Sequence, residues 1–103
     1  MWIFLNDAFL SAVQHRDAPD SLMVRARRRE DLARVFGDGV EIVELADADY
    51  PYRVTVPKAE LAVRLAARVE AIDYDNFKNS VPERRRHDAY MDVWSAMRRF
   101  EQR

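Results

Sequence analysis

The chain has 103 residues, which suits one domain, and 49% of them are apolar, enough for a core at this size without a disulfide or metal staple. It contains no cysteine, so disulfides, thiol nucleophiles, iron–sulfur clusters and thiolate zinc sites are excluded. Seventeen basic residues against eighteen acidic ones leave a formal charge of −1, so electrostatic binding has to come from local clusters rather than from a whole-protein field.

The opening Met1-Trp2-Ile3-Phe4-Leu5 is apolar but lacks a leading basic segment and is interrupted by Asn6-Asp7; it reads as a strand, not a signal peptide. No run approaches the ~18 apolar residues of a membrane helix, and a cytoplasmic protein without membrane contact is expected. Segments 8–15 and 22–28 form a predicted hairpin around the loop Arg16-Asp17-Ala18-Pro19-Asp20-Ser21. Phe9, Ser11 and Val13 share one side. Leu22, Val24 and Ala26 face the core, with Arg25 and Arg27 directed to water or a partner.

Glu30 to Phe36 reads as a helix, with acid in its first turn and Gly37 as its stop. Val40 to Leu45 alternates as a strand, 46–51 is an acidic connection, and Tyr52 to Val56 alternates again before Pro57 opens the next helix. That helix is predicted over 58–72 with a core stripe of Leu61, Leu65, Val69 and Ile72. After the connector 73–77, Ser80-Val81-Pro82-Glu83 has capping-box spacing. It predicts a last helix over 81–101, lined on one side by Tyr90, Val93, Trp94, Met97 and Phe100.

The order β-β-β-α-β-β-α-α lacks strict strand–helix alternation. It predicts an α+β fold over residues 1–103 as a single domain. The expected sheet is mostly antiparallel, of four to five strands, with three helices packed mainly on one face.

Two arginine clusters are the candidate sites. Arg25, Arg27, Arg28 and Arg29 bracket a strand end and a helix start. They suit phosphate if helix N–H groups join them, but a solvated strand face partly paired with Glu30 and Asp31 is the favoured reading. Arg84, Arg85, Arg86 and His87 open the last helix, where cations oppose the dipole by about 0.3–1 kcal/mol each. An acidic protein surface or a phosphate backbone would explain that arrangement. Packing of the Arg86 and His87 stems along the apolar stripe is the structural alternative. Tyr50, Tyr74 and Phe77 are candidate stacking residues, with core cover the favoured role.

Glu44, Asp47 and Asp49 lack the spacing of a calcium loop and read as a solvated turn, or as the complement of the arginines in a second copy. His15 and His87 form no metal-ligand pair on one helix, the serines lack a nucleophile-elbow context, and two glycines cannot build a phosphate loop. No metal or cofactor is expected, and catalysis is disfavoured.

Met1-Trp2-Ile3-Phe4, Phe9-Leu10-Ser11-Ala12-Val13 with Leu22-Met23-Val24-Arg25-Ala26-Arg27, and Asp49-Tyr50-Pro51-Tyr52-Arg53 resemble a family of short, uncharacterised bacterial proteins. So do Ile72-Asp73-Tyr74-Asp75-Asn76-Phe77-Lys78 and His87-Asp88-Ala89-Tyr90 with Val93-Trp94. The resemblance implies a free-standing bacterial domain and brings no catalytic residues with it. The expected function is a non-enzymatic binding module of a bacterial cytoplasm, acting through a protein partner or as a homo-oligomer. Nucleic-acid binding through the two arginine clusters is the alternative.

Overall fold

A computed structural model describes residues 1–102 and has an α+β fold in two compact units, Met1–Ile72 and the chain from Asp73 onward. The first unit holds strands β1 (Trp2–Phe4), β2 (Phe9–Gln14), β3 (Ser21–Ala26), β4 (Val43–Glu44) and β5 (Tyr52–Pro57), with helices α1 (Arg29–Phe36) and α2 (Lys58–Glu70). The second holds a 3₁₀ turn at Lys78–Ser80 and helix α3 (Arg84–Glu101). The expected element order is observed. The five strands form one fully antiparallel sheet in the spatial order β1-β2-β3-β5-β4.

Period-two alternation in register separates the two faces of this sheet. Ala12, Val24 and Val54 stand opposite one another in the core row. Together with Leu10, Ala26 and Val56 they meet Leu32, Val35 and Phe36 of α1 and Leu61 of α2. The next row, Trp2, Ser11, Arg25, Arg53 and Val43, lies on the opposite face. Leu10, Val24 and Leu32 are fully buried, so truncating Leu32 to Ala removes its packing at about 2–5 kcal/mol. Gly37 stops α1 with a positive φ of 91° while its N–H returns to the Ala33 carbonyl.

Three local expectations are corrected. Val40 to Leu45 contributes only the two residues of β4; Val40 and Ile42 instead pack half-buried against the core. The contact stripe of α2 is rotated: Leu61, Arg64, Leu65 and Arg68 are its inward side, whereas Val69 and Ile72 are exposed. The capping box does not form. Val81 precedes Pro82 and is held extended at φ −82° and ψ 109°, so α3 begins only at Arg84. The Ser80 hydroxyl donates to the Phe77 carbonyl at 2.6 Å.

Polar side chains tie α1, α2 and the β1–β2 turn together. The buried Asp31 carboxylate accepts from the Phe9 N–H at 3.0 Å and lies 3.5 Å from Arg34. Arg68 donates to Asp7 at 2.8 and 3.4 Å and also to the Arg34 carbonyl, while Arg64 donates to the Val35 carbonyl at 3.0 Å. Both arginines thereby meet the negative end of α1. Asp31→Ala should lower the unfolding free energy by about 1–3 kcal/mol, because the N–H that opens β2 loses its acceptor. Urea unfolding checks this, and an unchanged midpoint would remove Asp31 from the account of the fold.

Candidate interaction surfaces

The first arginine cluster lies on and just beyond the central strand, β3. Arg25 projects from β3 on the face opposite α1 and α2, and its Nη2 donates to Ser11 Oγ at 2.8 Å; Ser11 is only 1% exposed. Its guanidinium lies 4.7 Å from the Tyr50 ring centre, and that of Arg27 lies 4.4 Å from the same ring. Both distances are within cation–π range. Arg27 Nη1 also donates to the Asp49 carbonyl at 2.9 Å and pairs with its carboxylate at 3.2 Å. Arg29 lies 5.5 Å from the Tyr52 ring and 3.9 Å from Glu44, and Arg53 Nε donates to the Tyr50 carbonyl. Arg28 is the half-buried N-cap residue of α1.

These contacts latch the acidic connection onto β3. Arg27 and Arg29 pair with Asp49 and Glu44 of the same chain, rather than with Glu30 and Asp31. Tyr50 is 5% exposed, so its ring serves as cover and offers nothing to a base. A phosphate approaching the start of α1 would meet Glu30 and Asp31 in the first turn, which opposes an anion site there.

The second cluster divides. Arg86 is 7% exposed, its Nε stands 3.4 Å from Glu83 Oε1, and its Nη1 donates weakly to the Tyr90 hydroxyl at 3.5 Å. Its stem therefore packs. His87 Nδ1 is 3.4 Å from Asp88 Oδ1. Arg84 and Arg85 are exposed and make no hydrogen bond or ion pair among the described residues. At ~100° per residue they project from the side of α3 away from Tyr90 and Met97. Tyr74, Phe77 and Tyr90 form an aromatic cluster, with Phe77 stacked on Tyr90 at 5.7 Å and tilted against Tyr74 at 5.9 Å.

The surface that the sequence did not single out is the rest of that stripe. Val93, Trp94, Met97 and Phe100 are 38%, 44%, 58% and 70% exposed. Their helical spacing is legible in the sequence, but spacing alone reads as core. Lys78 Nζ and Arg98 Cζ lie 5.2 and 5.6 Å from the Trp94 ring centre and hold it from its own unit.

His15 Nδ1 accepts from the Asp17 N–H in a loop, and among the described residues no three His, Asp or Glu side chains converge to hold a metal ion. Among those residues no helix is long and apolar enough to cross a membrane. No protein-family model, curated protein or solved structure matches this chain.

The latch makes a graded prediction. Arg25→Ala leaves the buried Ser11 hydroxyl without its partner and should cost about 1–3 kcal/mol. Arg27→Ala removes an exposed pair and a ring contact and should cost about 1 kcal/mol or less. Equal losses for the two variants in thermal unfolding would contradict the assignment.

Proposed function

We propose that this chain is a non-enzymatic interaction module of a bacterial cytoplasm, working through protein–protein contacts, self-association included. One observation carries the reading: four large apolar side chains, Val93, Trp94, Met97 and Phe100, are exposed together on one side of α3. Scattered exposed apolar residues are ordinary, whereas a contiguous set on one helix is the usual mark of a contact surface. Arg84 and Arg85, whose side chains have no partner among the described residues, add positive charge on another side of the same helix and would favour an acidic neighbour.

A photo-crosslinking residue at Met97 should give a discrete protein adduct in cells, and Phe100→Asp should remove it. A residue at exposed Asp47 in the first unit serves as the control. The same background from both positions would end this reading.

Nucleic acid is the second reading, and one feature favours it. Trp2 is 67% exposed, packs edge-on against Phe9 at 6.2 Å, and shares a sheet row with Arg25 and Arg53. An aromatic beside guanidinium groups on a sheet suits stacked bases of a single strand. Binding should then fall steeply with salt and weaken several-fold in Trp2→Ala. Absence of a gel shift with single-stranded oligonucleotides at low salt would discard it.

A further inference from the structure

We infer that the occupant of the α3 stripe is a second copy of the same helix, running antiparallel across a two-fold axis near Ser95. This rests on the interaction-module reading and names the partner of that surface. Positions 86, 90, 93, 97 and 100 alternate spacings of four and three, the pattern of a coiled-coil seam. Arg86 and Tyr90 are already buried, so the seam is open over its C-terminal half.

Reversal of the helix maps the stripe onto itself. Tyr90 falls level with Phe100 of the second copy, and Val93 with Met97. The Phe100 ring of one copy then lands on the stacked Phe77–Tyr90 pair of the other. Ala96 comes next to its own symmetry mate, and so small a side chain lets the backbones approach; on the other flank Trp94 meets Trp94.

Charge selects this partner and this direction. Glu101 follows Met97 by one helical turn, so its carboxylate stands on the stripe. A purely apolar partner would desolvate it without offering a donor, whereas the reversed copy brings His87 level with it. Parallel pairing would instead crowd Arg84 and Arg85 of both copies at one end and Arg98 and Arg99 at the other. Antiparallel helix dipoles also attract.

The area predicts a weak dimer. With 150–250 Å² for a fully covered aromatic side chain, the open shares of Trp94 (44%) and Phe100 (70%) come to about 250 Å² per copy. Even with Val93 and Met97 added, the seam lies at the small end of specific interfaces, which implies a dissociation constant in the micromolar range or weaker.

Sedimentation velocity of the full chain, from low micromolar to near-millimolar concentration, should show a reversible monomer–dimer equilibrium. Phe100→Asp should weaken it by about tenfold or more while far-UV circular dichroism stays unchanged. Because the chain has no cysteine, a single introduced thiol reports on direction. Ala96→Cys should oxidise to a disulfide-linked dimer and Ala89→Cys should not; parallel pairing puts identical flank positions on opposite sides of the seam and would link neither.

A monomer at every concentration, a dimer indifferent to Phe100→Asp, or a dimer that Ala96→Cys fails to link overturns the proposal. A monomer whose Met97 crosslinks to a different protein sinks self-pairing while the interaction-module reading stands. A monomer without any adduct sinks both.

Discussion

The register Ala12–Val24–Val54 is the constraint on which the first unit depends. A slip of one residue would turn the apolar set of a strand to the wrong face, so the pairing of β2, β3 and β5 fixes at once what the helices cover and what the other face displays. The same alternation that delivers Leu10, Val24 and Val56 to α1 and α2 also lines up Ser11, Arg25 and Arg53 in the neighbouring row. The arginine latch is thus a by-product of core register. It closes only because β5 follows the acidic connection, which brings Tyr50 and Asp49 back beside β3.

Most of the fold was legible in the sequence because it rests on local periodicity. Alternation at 9–14, 22–26 and 52–56 gave β2, β3 and β5, and Gly37 and Pro57 marked helix boundaries through backbone chemistry that needs no tertiary context. One misreading occurs where distant groups compete for the same atoms, another where a neighbouring proline overrides a motif. Arg64 and Arg68 are drawn to the C-terminal carbonyls of α1 and to Asp7, and this rotates α2 away from its most apolar side. Ser80 matched a capping motif, but Pro82 forbids the helical conformation one residue before it.

The candidate sites were legible only as composition. Runs of arginine were visible, but their partners lie across strand pairings that no local window contains. Asp49 reaches Arg27 across 22 residues, and Ser11 reaches Arg25 across 14. Once placed, most of these guanidinium groups hold the fold: they bind carbonyls, a buried hydroxyl, carboxylates and tyrosine faces, as suits a planar donor fork that also stacks. Asp31 was read as first-turn acid and proves to be the buried acceptor for the start of β2.

Arg64 and Arg68 show the chain placing cations where a helix end is negative; Arg84 and Arg85 do the reverse. Their energetic burden on α3 is small, since both side chains reach water and screening weakens the dipole within a turn. A small burden on one helix acts differently when two copies approach. Like charges at matching ends would oppose any parallel pairing of α3 and leave the reversed pairing, which separates the two arginine pairs by the length of the helix, less opposed. Cations unfavourable for an isolated helix thereby bias the direction in which two such helices can meet, while the apolar stripe on the other side supplies the attraction.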